Sequence, residues 1–173
     1  MNFRLAVAPV LAVAVLGACA SMEAGPSATA ALKPTQGNAT AGTVRFVQKG
    51  GKVLVVADVS GLKPGSEHGF HVHEKGDCSA PDAMSAGGHF NPVGKPHAHH
   101  GQGERHAGDM PNLKADASGN AKYSFETDLL AVGSGAANVV GRSVVIHRDP
   151  DDYKTQPAGN SGPRVACGVI AAS

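Results

Sequence analysis

Residues 68–109 read HGFHVHEKGDCSAPDAMSAGGHFNPVGKPHAHHGQGERHAGD. Eight of the nine histidines fall within this stretch, and the ninth, His147, closes the separate apolar run SVVIH. A segment so rich in imidazole and so poor in aliphatic side chains cannot bury enough apolar surface to hold its own shape. Imidazole is the commonest side-chain ligand of zinc and copper, so metal ions are expected to act as the core of this segment.

Composition bounds the rest. The chain has 173 residues, enough for one domain and a short leader. Apolar residues make up 42%, so a true core is possible, while 23 glycines and an aromatic content of 4% suit short strands and tight turns. There is no block of Lys and Arg and no basic stripe interleaved with aromatics, which argues against nucleic acid as a partner.

Residues 1–18 have the shape of a signal peptide: Arg4 is the only charge, and the apolar run Leu5–Leu16 is too short to span a bilayer. The run ends in Leu16-Gly17-Ala18-Cys19, which resembles the bacterial lipoprotein signal, in which the cysteine is acylated and becomes the mature N-terminus. Ordinary cleavage after Ala20 is the alternative, because Ala18-Cys19-Ala20 also fits a small-x-small site. Either route exports the protein to the periplasm or cell envelope. Removing Arg4 leaves 14 basic against 14 acidic residues. Residues 19–28, rich in Ala, Gly, Pro and Ser, would be a flexible tether from a membrane anchor on Cys19, and residues 29–173 would be the folded domain. If Cys19 carries lipid, Cys78 and Cys167 are the remaining pair, free to form one disulfide in an oxidising compartment. Two unpaired thiols are the alternative.

Strands are expected at Thr29–Lys33, Thr43–Gln48, Val53–Val59, Glu67–Glu74, Leu113–Ala117, Ala121–Thr127, Ser143–His147 and Arg164–Ala171. Lys49-Gly50-Gly51-Lys52 is a hairpin signal. Leu129–Val132 reads as either helix or strand, and no segment keeps a helical period over ten residues. Short strands with glycine-rich turns indicate an all-β antiparallel sandwich or barrel with two long functional loops, 75–112 and 148–163.

His71 and His73 stand two apart on a strand, so both leave the same face and make half of a metal site. His89, His97, His106 and Asp109 lie in the long loop, and His147 ends another strand. Imidazoles with a carboxylate suit zinc, and four imidazoles suit copper. His68, His99 and His100 are expected to be bystanders, although His99 or His100 could replace His97, since the three lie on one short span.

Four stretches together resemble the copper–zinc superoxide dismutases: His68-Gly69-Phe70-His71-Val72-His73, Gly88-His89-Phe90-Asn91-Pro92, Arg105-His106-Ala107-Gly108-Asp109, and the C-terminal Gly159-Asn160-Ser161-Gly162-Pro163-Arg164-Val165-Ala166-Cys167-Gly168-Val169-Ile170. The resemblance runs in order from about Thr43 to the C-terminus, and the leader favours the bacterial secreted branch. It implies an eight-stranded antiparallel Greek-key β-barrel with one copper and one zinc ion per chain. His71, His73, His89 and His147 match the copper ligands. His89, His97, His106 and Asp109 match the zinc ligands, so that His89 would bridge the two ions. Cys78 and Cys167 match the family disulfide, and Asp151 matches the carboxylate that links a copper histidine to a zinc histidine, here His71 and His97. Arg164 matches the arginine that draws in the anionic substrate.

The implied reaction is disproportionation of superoxide to O₂ and H₂O₂ by redox cycling of copper, with His89 taking up a proton when copper is reduced and passing it to the nascent peroxide. Such an enzyme would protect the cell envelope. Two departures are visible. Cys78 lies closer to His73 than in the eukaryotic branch, and Arg148–Pro163 is shorter than the eukaryotic electrostatic loop. Lys154, Lys75, Glu67 and Glu74 are therefore open candidates for guiding substrate alongside Arg164. Oligomeric state varies in this family, a homodimer being one form. A copper store or carrier is the competing reading, but such proteins favour soft Met and Cys ligands, and the four methionines here do not cluster.

Overall fold

The computed structural model describes residues 25–173; the expected signal peptide and the expected lipid attachment at Cys19 lie outside them. Nine strands follow one another: β1 Ser27–Pro34, β2 Ala41–Lys49, β3 Lys52–Ser60, β4 Glu67–His68, β5 Phe70–His73, β6 Leu113–Lys114, β7 Ala121–Thr127, β8 Ser143–His147 and β9 Arg164–Ala172. Seven of them form one sheet in the order β5-β8-β9-β1-β2-β3-β7, with every pairing antiparallel. The remaining pair, β4 and β6, is antiparallel too. Since β4 leads into edge strand β5 and β6 leads towards edge strand β7, their pairing draws the two sheet edges together and closes the barrel.

The local sequence accounts for most of these elements. In β3, Val53, Val55, Ala57 and Val59 are buried and the residues between them face outward more, the period-two pattern of a half-buried strand. The β2–β3 hairpin turns at Gly50, whose φ of 56° lies in the left-handed region that glycine enters without steric cost. Val44, Phe46, Phe70, Val72, Val144, Ile146 and Ile170 join one core inside the barrel. Each such side chain, fully buried, stabilises the fold by about 1.5–3 kcal/mol.

Four strand expectations need correction. β1 begins at Ser27 with Ala28 fully buried, so the last two residues of the expected tether belong to the sheet. The expected strand Glu67–Glu74 ends at His73 and is broken at Gly69, whose N–H donates to the Asp149 carbonyl (2.9 Å) and whose carbonyl accepts from the His147 N–H (2.8 Å). A Cβ on Gly69 would lie 2.7 Å from Ser161 Oγ, so the break admits no side chain. Counting β4 and β5 as one interrupted strand restores the expected eight. β6 stops at Lys114 because the Asp116 carboxylate takes the N–H groups of Ser118 and Asn120 and turns the chain. Leu129–Val132 is neither helix nor strand; Ala131 makes a single bridge to Asn138.

Strands β5 and β8 are buried on both faces. Phe70, Val72, Val144 and Ile146 point into the barrel, and His71, His73, Val145 and His147 point out of it. The outer face is covered by the loop 74–112, tied down by the disulfide between Cys78 and Cys167 of β9, whose Cα atoms are 5.8 Å apart. Val145, Cys167, Ala83 and Ala86 pack together beneath that cover. The bond closes a segment of 89 residues, for which chain entropy gives a stabilisation of about 4–5 kcal/mol.

Candidate metal centre

Among the described residues, two groups of side chains could each hold a metal ion. His71, His73, His89 and His147 form one; His89, His97, His106 and Asp109 form the other. Within each group the ligand atoms lie within 4.8 Å of one another, every member is buried, and His89 belongs to both.

The hydrogen bonds fix which nitrogen of each ring is free. His73 Nδ1 lies 2.9 Å from the Gly87 carbonyl, and His147 Nδ1 lies 3.0 Å from the Gly162 carbonyl. A carbonyl can only accept, so both Nδ1 atoms carry the proton and both Nε2 atoms present lone pairs. Those two Nε2 atoms face each other at 3.4 Å. His71 donates through Nε2 to Asp151 (2.8 Å), which leaves its buried Nδ1 without a partner. His89 donates through Nδ1 to Asp109 (2.8 Å), which leaves its buried Nε2 without a partner. Four basic nitrogens thus converge with no donor among them. Protonation does not relieve this, because burial pushes His71, His73 and His89 down and lowers His147 to about 4. A bound cation resolves it, and an all-imidazole set suits copper.

The second group centres on Asp109. Nδ1 atoms of His89, His97 and His106 surround its carboxylate at 2.8, 3.1 and 3.2 Å. Burial alone would raise the Asp109 carboxyl, but the three imidazoles hold it ionised, well below the usual range. Burial would likewise lower His97, but the carboxylates of Asp109 and Asp151 raise it to about 9. Three imidazoles and one carboxylate are a donor set for tetrahedral zinc.

Asp151 joins the two groups. Its Oδ2 accepts from His71 Nε2 at 2.8 Å and its Oδ1 accepts from His97 Nε2 at 2.9 Å. Three residues to which the sequence assigned no role of their own hold it there. The Asn112 side chain bonds both the N–H and the carbonyl of Asp151, at 2.9 and 3.0 Å. The Tyr153 N–H donates to Asp151 Oδ1. Gly159 lies so close that a Cβ there would fall 2.8 Å from His97 Nε2 and overlap the Asp151 carboxylate.

Of the other histidines, none enters either group. His68 bridges Ser66 Oγ and the His147 carbonyl, at 2.9 Å each. The His99 and His100 rings lie tilted against one another with centroids 3.9 Å apart and lean on Tyr153. His97, not His99 or His100, stands between Asp109 and Asp151.

Arg164 sits at the start of β9, where its two terminal nitrogens donate to the carbonyls of Ala83 and Gly87 at 2.6 Å each. It shares an open cleft of about 380 Å³ with His147 and Asp82. Lys75, Lys154, Glu67 and Glu74 do not line this cleft. Glu67 pairs with Lys114 on the β4–β6 ladder (3.1 Å), and Glu74 accepts the Gly88 N–H.

Residues 40–170 match the family model for copper/zinc superoxide dismutase (SODC). The chain belongs to the copper/zinc superoxide dismutase family. It is 41% identical to superoxide dismutase [Cu-Zn] 2 of Aquifex aeolicus, over 93% of this chain and 96% of the relative. It is 42% identical to superoxide dismutase [Cu-Zn] of Deinococcus radiodurans, over 97% of each. Among solved structures, the clock protein EA4 superposes with a TM-score of 0.77 at 41% identity, covering 84% of this chain and 93% of that one. A double mutant of a SOD-like protein from Bacillus subtilis gives 0.72 at 37% identity, covering 81% and 94%. As a copper/zinc superoxide dismutase the protein is an oxidoreductase that converts superoxide to O₂ and H₂O₂, with one copper and one zinc ion per chain.

Proposed function

We propose that His71, His73, His89 and His147 would hold the copper and that His89, His97, His106 and Asp109 would hold the zinc, with His89 common to both sets. The observation that carries this assignment is the pair of buried four-residue groups sharing His89, with every free nitrogen of the first group aimed inward. Bound copper supplies the one-electron exchange, and bound zinc, which has a single oxidation state, supplies fixed charge. The protein's own residues do the rest. Arg164 offers a permanently charged fork to a small anion in the cleft beside His147. His89 takes a proton at Nε2 and gives it to peroxide. Asp151 keeps the protons of His71 and His97 on Nε2 and so orients both rings.

Within the same reading, residues 1–18 are a lipoprotein-type signal, Cys19 carries lipid, and the chain from 19 to the start of β1 is the tether. Bacterial relatives are consistent with an exported form. Anchored in this way in the periplasm or cell envelope, the enzyme would intercept superoxide at the membrane, alone or as a homodimer. Metal analysis paired with a dismutase assay on the purified chain tests the assignment. Two ions per chain and consumption of superoxide are expected; fewer than two ions in fully loaded protein would overturn it.

A further inference from the structure

The cleft that leads to His147 carries a side chain the dismutase reaction does not call for. Met84 is 61% exposed, although a thioether of its length gains by burial. The other methionine among the described residues, Met110, is 1% exposed in the core. Met84 lines the same cleft as His147 and Arg164. It opens the single helical turn Met84–Ala86, and the carbonyls on either side of that turn, Ala83 and Gly87, are the two that Arg164 holds. The Gly87 carbonyl also accepts from His73. Met84 is therefore mounted on a rim tied to Arg164 through two carbonyls and to His73 through one of them. Beside it, Asp82 lines the cleft and its Oδ1 accepts the Met84 N–H at 3.0 Å.

A cation entering this cleft meets the charge of Arg164, which opposes it. A carboxylate and a soft neutral sulfur at the rim offset that repulsion. Thioether sulfur selects cuprous ion over zinc and other harder divalent ions. We propose that Met84 and Asp82 form an outer landing site for cuprous ion, from which it passes down the cleft to His147 and the inner imidazoles. The inference rests on the assignment of copper to the His71, His73, His89 and His147 group.

Two measurements on the full chain test it. In the first, protein carrying both metals and ¹³C-labelled methionine methyls is titrated with Ag⁺, a redox-silent stand-in for cuprous ion. The Met84 methyl resonance should move while that of Met110 stays fixed, and Met84→Leu should weaken Ag⁺ binding by about tenfold. In the second, metal-free protein draws copper from a coloured cuprous chelate. Met84→Leu and Asp82→Asn should each slow the colour change, leave the final copper and zinc content at one ion each, and leave the rate of zinc uptake as in the parent. A Met84 methyl that ignores Ag⁺, or copper uptake that is unchanged by Met84→Leu, would overturn the landing site. Full copper uptake by His147→Ala would overturn the inner assignment instead, and the silver titration would still report on the rim.

Discussion

His73 and His147 approach through their Nε2 atoms to 3.4 Å, and both rings have already committed their proton to a main-chain carbonyl on the far side. Two lone pairs at that separation repel. A cation held between the two nitrogens would relieve that repulsion.

His147→Ala follows from that relationship. His147 is outside the group centred on Asp109. The variant should lose dismutation to background and hold less than one copper per chain, while zinc stays at one per chain. Elemental analysis alongside the activity assay checks both parts.

Asp151 is the acceptor for one ring of each group, at 2.8 and 2.9 Å. Replacing a carboxylate that orients a metal-bound imidazole costs about 10–100-fold in metal affinity. Asp151→Asn should therefore weaken zinc by about that factor and disturb copper as well, whereas Asp109→Ala should cost zinc far more than copper. Competition with a zinc chelator, read separately for each metal, distinguishes the two variants.

Zinc binding should release a proton at pH 7. Without metal, His97 keeps its proton up to about pH 9, despite burial, because Asp109 and Asp151 flank it. Zinc needs the neutral ring. The sign is then fixed: apparent zinc affinity climbs as pH rises towards 9 and flattens above it. Calorimetry in two buffers of different ionisation enthalpy at pH 7 should report the proton, and Asp151→Asn should reduce it.

These tests separate what was legible in the sequence from what was not. His71 and His73 could be read directly, because an i, i+2 pair on a strand must share a face. The pairing of Cys78 with Cys167 was implied by the family resemblance, whereas the cysteine count reached it only if Cys19 carries lipid and left two unpaired thiols open. His97 could not be told from His99 and His100 by spacing; the choice is made by Asp109 and Asp151 arriving from two different loops. Asn112 and Tyr153 carried no signal of their roles, since the Asn112 side chain reaches Asp151 across 39 positions and the Tyr153 hydroxyl reaches the Asn112 N–H across 41; Gly69 and Gly159 fall within the family-like stretches, but no local pattern shows that each position excludes a Cβ. The break at Gly69 depends on Asp149 and Ser161, which no local pattern at 67–74 reveals.

Arg164→Glu should slow turnover by about 10-fold or more, the lower end of what electrostatic focusing contributes, and its rate should fall less steeply with added salt, or rise. Arg164→Lys should recover only part of the loss, because an ammonium cannot span the Ala83 and Gly87 carbonyls as the guanidinium fork does. Steady-state rates across a series of ionic strengths give both results.

The lipid anchor has its own test. Wild-type protein made in a bacterial host should enter the detergent phase and label with palmitate. Cys19→Ser should do neither; labelling that survives the substitution would place the anchor elsewhere.

The Cys78–Cys167 bond holds the strand bearing Arg164 to the loop bearing both carbonyls that grip it. Arg164 stands three residues before Cys167, so one covalent tie aligns the guanidinium and its two anchors. Reduction would free the loop from β9 and loosen the anion catch; because His73 shares the Gly87 carbonyl with Arg164, the slack would reach one imidazole of the first group too. A thiol-rich surrounding would therefore blunt capture of superoxide.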